Sequence, residues 1–216
     1  MKIIFSIWLL GITGLGVFSV QTVELNGIVG QSVTFPDAVK TVGTLHYGVN
    51  KDKRIGDVTG GKFTQYRDRV QWDSSTGRFS ITDLNEEDSG TYTVMNNDAA
   101  QGKLYQYQLN VYIPVSVPQV NITRDTYRCT IQCDVERGTG VTLSWYREGE
   151  KKSYVSLFIR NAPDAYLPQT VDVGGVYTCE AKNSVSRETA KLTVGDQCTG
   201  QPENLDEDAE LHSFSQ

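Results

Sequence analysis

Residues 88–94 read "DSGTYTV", and residues 174–183 read "GGVYTCEAKN". The two stretches state one pattern twice. A glycine is followed two positions later by a tyrosine, and two positions after that by Val94 in the first copy and Cys179 in the second. Spacing by twos puts the tyrosine on the same face of a strand as Val94 in the first copy and Cys179 in the second. The same period runs outward in both directions, through "QSVTF", "GTLHYGV", "RFSITDL" and "YQYQLNVYI" and then "RCTIQCDV", "VTLSWYRE" and "AKLTV". No window of comparable length sustains a helical period, so the chain is expected to be all-β. "YIPVSVPQV" separates the halves, and Pro114 and Pro118 lack the N–H that a central strand would use, so a boundary is placed near Pro114.

Composition narrows the class. The chain has 216 residues, more than one β-sandwich of about 100 residues needs, so two in tandem fit. "MKIIFSIWLLGITGLGVFSV" carries a single basic residue, an apolar run and a small-residue exit, and residues 1–19 are read as a secretory leader. An exported chain meets an oxidising compartment, so Cys129, Cys133, Cys179 and Cys198 are expected to pair. The net charge of −6 is concentrated in the tail: residues 21–113 carry −2, 114–198 carry 0 and 199–216 carry −5. A nearly neutral globular part argues against nucleic acid as a partner, and the acidic, apolar-poor tail is expected to stay disordered.

In the second half Cys133, Trp145, Gly175, Tyr177 and Cys179 come in the order of an immunoglobulin core, a cystine across two sheets with a tryptophan packed on it and a tyrosine corner beside it. Too few residues separate Trp145 from Cys179 for two extra strands, so this half is constant-like. Exclusion then pairs Cys129 with Cys198, and the even spacing of Cys129 and Cys133 turns both to one side of a strand. Aligned on this copy, Phe35 takes the place of the first core cysteine, Tyr47 that of the tryptophan, and Val94 that of the second cysteine, while Tyr92 keeps the corner. The first half is thus expected to be a variable-like sandwich without a disulfide, with Arg69 and Asp88 forming a salt bridge across one end. The division is residues 20–113 and 114–198, with residues 199–216 as tail.

Catalysis finds little support. His46 is the only histidine inside the expected fold, the carboxylates of "NEEDSG" lie on a turn, and no cysteine neighbours a histidine for metal binding, so neither an enzyme, a metal site, a cofactor nor a small-molecule substrate is expected. Asn121 in "NIT" is the single Asn-x-Ser/Thr sequon and is expected to carry a glycan.

A variable-like domain without its cystine, followed by a constant-like domain with two, resembles the SLAM-type lymphocyte adhesion and signalling receptors over residues 21–198. "CTIQC", Trp145, "YTCEAKNSVS" and Cys198 carry the resemblance. It implies a recognition protein of blood cells whose outer domain binds a like immunoglobulin domain on another cell, homophilically or heterophilically, through one sheet face. With Tyr47, Tyr92, Val94, Tyr107 and Leu109 turned inward, alternation turns His46, Thr93, Met95, Gln106 and Gln108 outward; Lys53, Arg54 and Asn97 extend that face. Tyr47 departs from the family's tryptophan. Nothing after Cys198 is an apolar span or a lipid-anchor signal, so the chain as written reads as secreted, on the outer face of the plasma membrane if an anchor is supplied elsewhere. A secreted decoy, or an antigen-receptor-like protein with an unrelated partner, is the alternative reading.

Overall fold

The computed structural model describes residues 21–125, 128–150, 155–162, 166–171, 174–195 and 198. The expected leader and tail lie outside them. Among the described residues no helix is long and apolar enough to cross a membrane. Strands arise where the period-two pattern predicts them, and they build two β-sandwiches, each around its own apolar cluster.

The first sandwich contains β1 (Thr22–Ile28), β2 (Val33–Ala38), β3 (Val42–Tyr47), β4 (Lys53–Thr59), β5 (Lys62–Gln65), β6 (Val70–Asp73), β7 (Arg78–Ile81), β8 (Gly90–Asn96) and β9 (Lys103–Tyr112). They form a six-stranded sheet in the order β1-β9-β8-β3-β4-β5 and a three-stranded sheet in the order β2-β7-β6. Strand β1 runs parallel to β9; β4 and β5 occupy the room that the long spacing between Tyr47 and Val94 leaves. Between the sheets Phe35 is fully buried, with its ring 5.3 Å from both Tyr92 and Tyr107. Each such ring contributes about 1.5–3 kcal/mol on burial. A three-ring cluster therefore fills the layer that a cystine would cross.

The ladder corrects one alignment. Trp145 pairs with Cys179, and the residue paired with Val94 is Leu45, fully buried, not Tyr47. Tyr47 pairs with Tyr92, as Arg147 pairs with Tyr177. Counting twelve residues from Phe35 overshoots by one pleat. Tyr47 lies at the rim of the core, its ring 5.1 Å from Tyr92 and beneath the Arg67 guanidinium at 5.1 Å. Gly90 makes room for it: a Cβ there would stand 2.9 Å from the Tyr47 ring, and its φ of +152° disfavours any side chain.

The second sandwich contains β10 (Gln119–Asp125), β11 (Arg128–Asp134), β12 (Thr139–Arg147), β13 (Val155–Asn161), β14 (Tyr166–Val171), β15 (Gly175–Lys182) and β16 (Arg187–Val194). Its sheets are β10-β11-β14 and β13-β12-β15-β16. The Cys133–Cys179 disulfide joins β11 to β15 across the layer, and Cys129–Cys198 ties β11 to the chain just beyond β16. Both cysteines of β11 are buried on the same side, as their spacing requires. Trp145 is wholly buried beside the first of these bridges, and its indole N–H donates to the Leu167 carbonyl at 3.1 Å.

Candidate recognition face of the first sandwich

Two polar clamps at opposite ends of β8 hold the six-stranded sheet in shape. At the lower end Asp88, with no exposed surface, ends a single 3-10 turn over Glu86–Asp88 whose cap is Asn85. Arg69 reaches both of its carboxylate oxygens at 2.7 and 2.9 Å, and Arg67 adds a contact of 2.6 Å. The Asn85 N–H donates to the same carboxylate at 2.9 Å. Burial alone would raise the Asp88 pKa, but the bonds from Arg69 and Asn85 and the two positive charges outweigh it, so the carboxyl is held below its ordinary value. Arg69 adopts a φ of +67°, a strained backbone for a side chain of its size, which aims the guanidinium at Asp88 and at the Asp83 carbonyl. The Tyr92 hydroxyl donates to the Asp88 carbonyl at 2.7 Å, closing the tyrosine corner, and burial pushes that phenol up to about 12.

The upper clamp is Asp98. Its carboxylate accepts the backbone N–H groups of Lys40, Thr41 and Val42 at 2.6, 2.8 and 2.7 Å, and the Thr41 hydroxyl at 2.6 Å. Burial opposes the charge, yet the hydroxyl and the three N–H donors hold its pKa down to about 2. This clamp ties the segment after β2 to the loop after β8. Arg67 and Asp98 were not singled out from sequence; "NNDAAQGK" marks a loop, but no spacing rule points from it to residues 40–42.

Between the clamps the ladder arranges the outer surface in rows. Thr22, Gln106, Thr93, His46 and Arg54 lie side by side, followed by Leu104, Met95, Thr44 and Asp57. Glu24, Gln108 and Thr91 make a third row, and Thr91 donates to the Gln108 amide oxygen at 3.2 Å. Asn97 stands exposed at the end of β8, where its N–H donates to the Val42 carbonyl at 2.9 Å. Val42 itself is 41% exposed. Two of the expected positions need correction. Thr93 is 1% exposed, because His46 and Gln106 flank it in its row and leave it no access to solvent. Lys53 pairs with Tyr47, so by alternation it belongs to the other side of the sheet from His46, whose partner is Arg54.

His46 does more than face outward. Its Nδ1 lies 3.0 Å from the Lys51 carbonyl, which can only accept, so Nδ1 carries the proton; Nε2, 3.0 Å from the Thr44 hydroxyl, accepts from it when the ring is neutral. The ring thereby pins the turn between β3 and β4, where Lys51 has a φ of +59°. Arg54 is half exposed and donates to Asp57 at 2.9 Å. The face is polar and mixed in charge, with an apolar strip of Met95, Leu104 and Val42 toward the Asp98 end. Among the described residues no group of three or more His, Cys, Asp or Glu side chains is placed to hold a metal ion.

No protein-family model matches the chain. SLAM family member 5 of Mus musculus is 29% identical over 199 residues, covering 82% of this chain and 56% of the relative. CD48 antigen of Homo sapiens is 24% identical over 145 residues, covering 63% of this chain and 57% of that protein. The chain thus spans about half the length of the curated relatives it matches. Among solved structures, the CD2-binding domain of CD58 (lymphocyte function-associated antigen 3) matches 81% of this chain and 98% of its own length, with a TM-score of 0.67 and 21% identity. Murine CEACAM1b covers 80% of this chain and 98% of its own at a TM-score of 0.59 and 20% identity. These two likenesses show the fold, two immunoglobulin-like sandwiches in tandem, and in sequence the chain is similar to SLAM-type receptors.

Proposed function

We propose that the chain is the recognition part of an immune cell-surface protein. It binds a related immunoglobulin-domain receptor on another cell through the outer face of β9, β8, β3 and β4, and modulates leukocyte activation. Residues 20–113 form the recognising domain, residues 114–198 the supporting one. The observation that carries this reading is the shape of the face: six strands wide, clamped at both ends, and bearing exposed side chains of both charges around an apolar strip. Such a surface gains specificity from charge complementarity more than from area, and suits a contact of modest strength. His46, Arg54, Met95, Asn97, Gln106 and Gln108 are its contact residues. Asn121, the expected glycan site, is exposed on β10 of the second sandwich and is not on the strands of this face. The test is staining of leukocytes from the same species with multimers of the recombinant chain. Arg54→Glu and Met95→Asp are each expected to lower staining about tenfold or more, the loss of one interface hot spot. Staining that survives both substitutions together would move the site off this face.

A further inference from the structure

We infer that the two sandwiches are held at one fixed angle by a polar keystone centred on Asn183, so that the chain is a single rigid rod rather than two modules on a flexible linker. Relative motion is the ordinary expectation for domains joined by a short stretch such as "IPVSVP". Here Ile113, Val115 and Ser116 are each bonded to the second sandwich, and only past them does Val117 stand exposed. Tyr112 belongs to the first sandwich: it pairs with Ile28 in the β1–β9 ladder, and its carbonyl accepts the Val29 N–H at 3.1 Å. Ile113, the next residue, is bonded to the second sandwich. Its N–H donates to the Thr139 hydroxyl at 3.0 Å, and its carbonyl accepts the Thr139 N–H at 3.3 Å and the Asn183 amide at 2.8 Å. Pro114 has no N–H to satisfy. The Val115 N–H donates to the Ser186 hydroxyl at 2.8 Å, and the Ser116 N–H to the Arg137 carbonyl at 2.9 Å. The Val115 side chain is buried in the second core.

Asn183 is where these bonds converge. Its amide nitrogen donates to the Ile113 and Thr139 carbonyls at 2.8 and 3.0 Å. Its side-chain oxygen accepts the N–H groups of Val185 and Ser186 at 3.1 and 2.9 Å and the Ser186 hydroxyl at 2.9 Å. Every donor and acceptor of the side chain is used, and the turn it braces supplies the Ser186 hydroxyl to Val115. What remains loose is the pair of torsions flanking the Tyr112–Ile113 peptide. Gly140 restrains those: with a φ of +61° and no Cβ, it lets the Tyr112 ring lie against the backbone, where a methyl group would sit 3.3 Å from the ring. Glu86, Ser89 and Asn110 of the first sandwich and Thr139, Arg160 and Asn161 of the second line the cleft of about 650 Å³ beside this joint. A fixed angle means that a contact at the far end of the first sandwich pays no entropy for ordering the joint. That consequence rests on the recognition face proposed above, whereas the fixed angle does not.

Residual dipolar couplings measured from both sandwiches of the full chain test the inference without any partner. The native chain is expected to fit one alignment tensor. Asn183→Ala is expected to require two, differing about twofold in magnitude, as a chain with Gly-Ser-Gly-Ser inserted after Tyr112 must. Ser186→Ala, which keeps the asparagine and removes the Val115 bond, gives a smaller divergence and serves if Asn183→Ala does not fold. Two tensors in the native chain would overturn the rigid joint. One tensor in both serine and asparagine variants, with two in the insertion, would overturn the role of Asn183.

Discussion

The two sandwiches close the same kind of layer with different chemistry. In the second, two cystines and Trp145 join the sheets, and the position four residues before the corner tyrosine is Val173. In the first, that position is Asp88, which gathers two arginines and a backbone N–H, while Phe35, Tyr92 and Tyr107 fill the space a cystine would cross. A covalent staple acts mostly on the unfolded chain, by shrinking its ensemble, whereas a buried ion cluster acts on the folded state and depends on every partner being present. The first sandwich is therefore sensitive to acid and to single substitutions, the second to reduction. Trp72 in the first core's rim and Trp145 in the second core give each sandwich its own fluorescent reporter.

Loss of the Asp88 carboxylate strikes this contrast hardest. Asp88→Ala strips two arginines and the Asn85 N–H of their shared acceptor, and a cost of about 3–5 kcal/mol to the first sandwich is expected, as for breaking a buried ion pair. Denaturant unfolding read at Trp72 should shift while the Trp145 transition stays in place; equal shifts at both would mean the sandwiches unfold as one unit. Next in size is the paired substitution Cys133→Ala with Cys179→Ala, expected to cost the second sandwich about 2–4 kcal/mol. It should move only the Trp145 transition, and reducing agent should do the same to the native chain.

Acid separates the two halves more gently. Asp88 and Asp98 both have folded pKa values below those of a free carboxylate, so the stability they give is complete above about pH 4, the unfolded value. It is lost as pH falls toward the folded values, about 2 for Asp98. The Trp72 transition should weaken over that window more than the Trp145 transition. Asp98→Ala should remove part of that dependence at a cost of about 1 kcal/mol, since its donors are regained by water at an exposed loop. The smallest expected effect on folding comes from the outer face: Arg54→Glu should change stability by no more than about 0.5 kcal/mol, the range of ordinary surface substitutions. A larger change would mark Arg54 and Asp57 as part of the sandwich's support.

Much of this was legible because period-two alternation and cystine spacing are local properties. The strands of both halves follow the alternation, and the inward side of β11 follows from Cys129 and Cys133 being four residues apart. Register is where local counting failed. Phe35 and Leu45 are ten residues apart where Cys133 and Trp145 are twelve apart, and β2 carries an irregularity between Thr34 and Ala38, so Leu45 and not Tyr47 reaches the tryptophan's place. A bulge between Leu45 and His46 likewise sets Arg54 beside His46, where the register of Leu45 with Gly56 would have put Ile55.

The sequence by itself determined the all-β class, the tandem repeat of one pattern, the absence of cysteine from the first copy and the inward direction of the paired cysteines, since each depends on residue type and spacing along one strand. Only the tertiary structure decided which side chains share a row of the face, that Thr93 is closed off by its neighbours, that Arg67 joins Arg69 at Asp88, and that Asn183 reaches 70 residues back to Ile113. Those outcomes depend on how strands from distant parts of the chain pair and on where two sandwiches meet, and no pattern within a window of sequence encodes a distance between windows.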